Sequence, residues 1–477
     1  MKYYQNHNIY VWNPKRALLR LLYSAGYLLA IMVLLYSCDD FVEVDFPKNQ
    51  LNSDHIFEEK GTATAAMTDI YSKIRDNGLL TGSQQGISMG LGLYTDELKY
   101  YGSSMNGLQM FYNNTLIAPN IDIASYWNDS YNQIYSANMV IEGVDRSVKL
   151  PQTDKDQLKG EALFVRALVH TYLAGVYGDV PYIKTTEPSI TLHVARLPVD
   201  VVYSQAIDDL NAAIELLPEN YIGDSRVRPN RFAAYALLAR VSLYAGQWDV
   251  ASNAASAVMN NTALYSYESD LDKIFKKEST STIWQLSPNT PGANSLEATA
   301  FIFTYTPPSL AALSDDLLNA FEPGDLRKTK WTSAVSNGTD TYYEPYKYHE
   351  RNNTGTTVEM SVVLRLGELY LIRAEARARA GELIGAKEDL NVIRATAGLP
   401  DTTAMTQDEI LTAILHERQV ELFTEFGHRF FDLKRFGNIN SVLSSAKIGW
   451  DDRDILFPIP LVELNLNPNL NPQNPGY

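Results

Sequence analysis

The segment AYALLARVSLYAGQWDVASNAASAVM, beginning at Ala234, can be laid on LYLIRAEARARAGELIGAKEDLNVIR, beginning at Leu369, with a constant offset of 135 residues. Tyr235, Ala239, Ala245, Gly246 and Ala251 then fall on Tyr370, Ala374, Ala380, Gly381 and Ala386. Each copy reads as helix, glycine turn, helix, and the alanines let the two helices approach closely. A third instance is VVYSQAIDDLNAAIELLP from Val201, with Ala206, Leu210, Ala213 and Pro218 at the relative spacings of a second repeat helix. Helical hairpins of this kind cannot bury an apolar face alone, so they must stack. Long non-repeating stretches separate them. The predicted fold is therefore mainly α: a scaffold of tetratricopeptide-like helical hairpins carrying large irregular insertions of loop and short strand.

Two further helices announce their own starts. Thr153 to Asp156 reads as a capping box, opening a helix whose apolar positions run from Leu158 to Tyr177 and stop at Gly178. Thr406 to Glu409 reads as another, with a helix expected to Gly427. Within ERQVELFTEFGHRFFDLKRFG the charges Arg418, Glu421, Glu425, Arg429 and Asp432 step by three or four residues, which on continuous helix makes one stripe. Two glutamates one turn apart resemble a glycosidase pair, but neighbouring arginines lower carboxylate pKa values where a general acid needs one raised. The stripe is read as a structural ion-pair network. The closing segment ILFPIPLVELNLNPNLNPQNPGY, with five prolines, is expected to wrap the body in an extended path.

The insertions have a different composition. Residues 78–115 hold seven glycines with Tyr94, Tyr100, Tyr101, Phe111 and Tyr112, and residues 287–355 carry Tyr305, Trp331, Tyr342, Tyr343, Tyr346 and Tyr348 among prolines. Both are expected to be loops and short strands rather than helices. Aromatic residues on long loops held by a rigid scaffold are candidate ligand platforms. Trp284, in the strand-like TIWQL, is expected in the core.

The amino terminus supplies an address. Lys15, Arg16 and Arg20 precede an apolar stretch from Leu21 to Tyr36, and no acidic residue appears before Asp39, the layout of a signal peptide. Leu35-Tyr36-Ser37-Cys38 resembles a bacterial lipobox, which makes the single cysteine of the chain the lipidated first residue of a mature protein. The whole chain carries a formal charge of −16. Residues 1–37 contain only positive charges, so the mature chain is more acidic still, and nucleic acid is a poor partner for it. An anionic membrane surface would repel the body, leaving lipid as the attachment.

Catalytic motifs have little support. Gly86-Ile87-Ser88-Met89-Gly90 matches the nucleophile-elbow formula, yet no strand-like sequence precedes it and no oxyanion loop is visible. The seven histidines show no paired spacing, so no metal site or other cofactor is expected.

With these residues in view, the chain resembles the SusD/RagB family of surface lipoproteins from Bacteroidetes-type bacteria. The resemblance is carried by RLGELYLIRAEARARAG, DLNVIRATAGL, HERQVELFTEFGHRFFDLKRFG, LFPIP, the terminal LNPNLNPQNPGY, GEALFVRALVHTYLAGVYGDVPYI and YWNDSYNQIYSANMVIEGV, in the family's order. It implies a signal peptide at 1–37, a lipidated tether at 38–55, and one compact body of an N-terminal part, 56–225, and a C-terminal part, 226–477. It implies binding rather than catalysis: capture of oligosaccharide, or in the RagB branch peptide, on the outer face of the outer membrane, and delivery to a SusC-like TonB-dependent transporter barrel. The family's ligand face points to Tyr94, Asp96, Tyr100, Tyr101, Asn106, Tyr305 and Trp331. The competing expectation is a periplasmic helical-repeat scaffold that binds a segment of another protein.

Overall fold

The computed structural model describes residues 56–103 and 107–477. Cys38, the predicted signal peptide and tether, and Asn106 lie outside the described residues. The principal helices are Lys60–Asp76 (α1), Ile87–Tyr94 (α2), Ile121–Arg146 (α3), Gln152–Tyr177 (α4), Val199–Leu216 (α5), Arg231–Tyr244 (α6) and Trp248–Met259 (α7). After a long insertion come Leu366–Arg379 (α8), Leu383–Thr396 (α9), Gln407–Glu421 (α10), His428–Arg435 (α11) and Leu461–Leu466 (α12). From α3 to α9 each helix packs against the next, and α10 closes on α8 and α9. This is the stack that the repeat arithmetic requires. Helices α6 and α8 begin and end at the 135-residue offset, α7 and α9 begin at it, with α9 two residues longer, and both hairpins turn at a glycine with left-handed φ, +70° at Gly246 and +85° at Gly381.

The insertion between α7 and α8 carries most of the strand structure: β2 (Thr282–Leu286), β3 (Ala311–Leu313), β4 (Thr332–Ser336), β5 (Thr341–Pro345) and β6 (Ser361–Arg365). β2 pairs with β6 and β4 with β5, while β3 pairs with β1 (Leu98–Tyr100) from the early loop, all antiparallel. Trp284 of β2 is fully buried, as expected, and its indole N–H donates to Val227 O at 3.0 Å.

Several expectations are corrected. The helix expected to open with a capping box at Thr153 starts earlier, at Gln152, with Pro151 as its uncapped N-cap. The fixed φ of Pro151 sets the entry, so Thr153 is already helical. Residues 78–115 include α2 and a short helix, Leu108–Tyr112. Every residue of α2 is buried, so tertiary packing outweighs the poor helix propensity of Gly90 and Gly92. Those glycines admit close neighbours: a Cβ at Gly90 would meet Tyr126 Oη at 2.8 Å, and one at Gly92 would meet Leu98 Cδ1 at 2.7 Å. The insertion also holds short helices at Leu296–Phe301, Asp315–Ala320 and Leu326–Lys330. The proline-rich carboxy terminus is largely extended but accommodates α12 directly after Pro460.

The Thr406–Glu409 capping box is present, but α10 ends at Glu421 instead of Gly427. Thr424, Phe426 and Gly427 adopt left-handed φ values of 55°, 45° and 76°, which α-helix cannot contain. The charged stripe is thereby divided between α10, the turn and α11. Arg418 reaches Asp432 at 2.7 Å. The others pair outward: Glu421 with Arg327 and Arg365, Glu425 with Arg365 and Lys347, and Arg429 with Asp96. Burial works to raise the Glu421 and Glu425 carboxyls, but the surrounding cations, Arg365 with Arg327 and Lys347 at Glu421 and Arg365 with Lys347 at Glu425, together outweigh it and hold both below the ordinary glutamate range. The network thus fastens the early loop and the long insertion to the same pair of helices.

Candidate functional site

Where the early loop meets the insertion, aromatic side chains reach the surface. Strand alternation in β1 buries Leu98 and turns Lys99 outward. The register with β3 is Leu98–Leu313, Lys99–Ala312 and Tyr100–Ala311, and Tyr101 extends the pairing by donating its N–H to Leu310 O at 2.7 Å. Its half-buried ring stands edge-on to Tyr342 of β5, with centroids 5.2 Å apart and planes at 89°. Lys99 Nζ lies 5.8 Å from the Tyr101 centroid. Tyr100 packs on Tyr112 at 6.2 Å, and its hydroxyl donates to Ser103 O at 2.7 Å.

The loop before β3 adds Tyr305, which is 59% exposed. It borders a shallow groove of about 50 Å³ whose wall includes Gln84, Pro308, Leu310 and Arg351. Leu310, the acceptor of the Tyr101 N–H, links this groove to the Tyr101–Tyr342 pair. A second depression of about 120 Å³ shares Thr299 and Arg351 with the first and is lined by Asn289, Asn294 and Asn352. Arg351 has no ion pair among the described residues. Exposed rings beside amide and guanidinium donors suit a ligand with flat C–H faces and a rim of hydroxyls, where stacking supplies affinity and hydrogen bonds supply orientation.

Of the predicted residues, Tyr101 and Tyr305 are joined through Leu310, while Tyr100, one position along the strand, packs on Tyr112 against the core. Tyr94, Asp96 and Trp331 are not part of this face. Tyr94 is completely buried and donates to Asp454 O at 3.1 Å, amid Phe111, Phe430, Trp450 and Phe457. Asp96 is consumed by Arg429, which donates to its two oxygens at 2.9 and 2.6 Å. Trp331 is 1% exposed, its indole N–H donates to Leu271 O at 3.1 Å, and Lys347 Nζ sits 5.0 Å from its ring centroid. Sequence reasoning passed over Gln84 and Arg351, which share the groove of Tyr305, and Asn289 and Asn352 of the adjoining depression; all lie in ordinary polar segments with no local signal of that placement. Tyr342 was visible only as one tyrosine among several in its insertion.

The serine of the nucleophile-elbow formula is structural. Ser88 is buried in α2, with no strand before it, and its hydroxyl accepts the Phe426 N–H at 2.9 Å. One group of potential metal ligands exists among the described residues, Glu322, His416 and Glu417. Both of its glutamates already pair with the Arg394 guanidinium.

Family comparison agrees with this architecture. Residues 40–243 match a SusD-like family model described as starch-binding and associating with the outer membrane, and residues 322–477 match the model of the SusD family itself. The chain belongs to the SusD family. SusD-like protein P2 of Formosa agariphila is 25% identical over 94% of this chain and 98% of its own length, and SusD-like protein P25 of the same organism is 23% identical over 93% and 97%. Among solved structures, a laminarin-binding SusD-like protein superposes with a TM-score of 0.73 at 27% identity, covering 87% of this chain and 99% of that one. A SusD superfamily protein from Parabacteroides distasonis shares the fold with a TM-score of 0.75 at 22% identity, over 90% of this chain and all of that one. The family is one of binding proteins, and the fold class expected from the repeats is the family's own.

Proposed function

We propose that this SusD-family protein captures oligosaccharide at the cell surface and passes it to a SusC-like TonB-dependent transporter, held to the outer membrane through a lipidated Cys38. The observation that carries this reading is the aromatic face: the half-buried Tyr101 against Tyr342, and the exposed Tyr305 on a groove whose polar groups include Gln84 and Arg351. The laminarin-binding relative supports a glycan as the ligand. Lipid is the fitting attachment for a chain with a formal charge of −16, and no described helix is long and apolar enough to cross a membrane.

A glycan array run beside a peptide library tests the ligand class. Binding to a glycan is expected, with Tyr101→Ala and Tyr305→Ala each weakening it by roughly 1–3 kcal/mol. Peptide binding alone would transfer the protein to the RagB-like branch, and binding of neither polymer would remove the proposal. Extraction in mild detergent should recover the protein together with a transporter barrel, and mass spectrometry should find an acylated Cys38. A free monomer that retains residues 1–37 would contradict both.

A further inference from the structure

On another part of the molecule, the end of α4, the start of α5 and the helix α11 enclose a cavity of about 560 Å³, walled on one side by the carboxy-terminal residues 472–475. It shares no lining residue with the two depressions near Tyr305. Its size falls within the roughly 300–1,000 Å³ of small-ligand sites. Four charged side chains line it: Asp179, Arg196, Lys434 and Arg435.

Two of the four are already satisfied. Arg435 is neutralised by Glu375 and Asp432. Asp179 is exposed and accepts the Val199 N–H at 3.1 Å, at the start of α5. Arg196 and Lys434 have no such partner. Neither has a carboxylate within 4.0 Å among the described residues, and their hydrogen bonds end on neutral oxygens. Arg196 donates to Asn474 Oδ1 at 2.8 Å and to Pro472 O, and Lys434 Nζ donates to Gly175 O at 2.9 Å. An ammonium has three N–H donors and a guanidinium five, so both groups keep donors in reserve. Burial pushes the Lys434 ammonium down to about 8, and it lowers Arg196 as well, against the opposing charge of Asp179 across the cavity. The walls complete the site: Tyr203 and Phe431 present rings, and the buried Tyr244 hydroxyl has no hydrogen-bond partner.

We propose that this cavity is a second binding site, for a small molecule that carries an oxyanion on a ring-sized body, the anion seated between Arg196 and Lys434. Lys434 without any carboxylate partner, beside an Arg196 whose only opposing charge is the exposed Asp179, selects a carboxylate or sulfate rather than a neutral ligand. A uronate and a sulfated monosaccharide offer the same charge from different groups, and both fit the volume.

The test is calorimetric titration of the intact protein at low ionic strength with D-glucuronate, glucose 6-sulfate, inorganic sulfate and neutral glucose. Saturable binding of one of the charged sugars, weakening as salt rises, is expected, with glucose silent. Preference for glucuronate or for the sulfate ester assigns the source of the anion. Lys434→Met keeps the alkyl packing and should weaken binding at least tenfold, and Arg196→Gln should do the same, with circular dichroism and melting curves matching the parent. Tyr305→Ala should leave this binding unchanged, which separates the cavity from the aromatic face. Three results would overturn the proposal: no binding of either charged sugar, equal binding by the parent and Lys434→Met, or loss of anion binding in Tyr305→Ala.

Discussion

The Arg429–Asp96 clamp ties the charged stripe to the aromatic face, and its removal has a predictable magnitude. Asp96 stands two residues before β1, and Arg429 lies in the first turn of α11. The Arg429 side chain is 8% and the Asp96 side chain 5% exposed, and they share two hydrogen bonds. Charge-assisted bonds of this type contribute about 1.5–3 kcal/mol each. Removing one partner also leaves the other charge buried, so Arg429→Ala should cost about 3–5 kcal/mol. Against a total stability of about 5–15 kcal/mol, that is readily measured by urea unfolding at pH 7. Asp96→Ala should cost a similar amount, but the double variant removes both orphaned charges and should cost less than the sum, with a coupling of about 2–3 kcal/mol. Since β1 positions Tyr100 and Tyr101, Arg429→Ala should also weaken ligand capture from a buried position. Single-variant costs that add to within about 0.5 kcal/mol would refute the clamp.

Trp331→Ala should lower stability by about 3–5 kcal/mol through the cavity it leaves and the lost bond to Leu271 O, while the folded protein keeps its ligand affinity. A tenfold loss of affinity at unchanged stability would return Trp331 to the binding surface. Burial, then the neighbouring Asp96, pushes the Glu97 carboxyl from 4.5 up to about 8, despite Arg429. Between those values the native state keeps a proton that the unfolded state has released. Stability should therefore fall as pH rises from 5 to 8, by at most about 1.4 kcal/mol per pH unit from this group. Glu97→Gln should flatten that slope in melting curves, and superimposable pH profiles for variant and parent would contradict the assignment. Below pH 4.5 the sign reverses, because Glu421 and Glu425 are held under their ordinary range and their ion pairs are lost as they protonate.

The helical scaffold was legible in the sequence because its information is local and repeated. Alanine spacing and a glycine at each hairpin turn located α6 to α9, and the Thr406–Glu409 cap located the start of α10. Where neighbours decided conformation, local reading failed: α2 is a helix because it is buried on every side, and α10 stops at Glu421 because the turn to α11 must bring Glu425 to Arg365 and Lys347. The same division holds at the site. Composition could name the tyrosine-rich insertions, but a buried tyrosine and a displayed one have the same sequence signature. The pairing of β1 with β3, across more than two hundred residues, and the packing of β3 on β5 set Tyr101 beside Tyr342, while Tyr94 and Trp331 are held inward by their own distant partners, Asp454 O and Leu271 O. Periodicity along the chain encodes which face of a helix is apolar; which loops share a surface depends on contacts distant in sequence, and no short window of residues contains them.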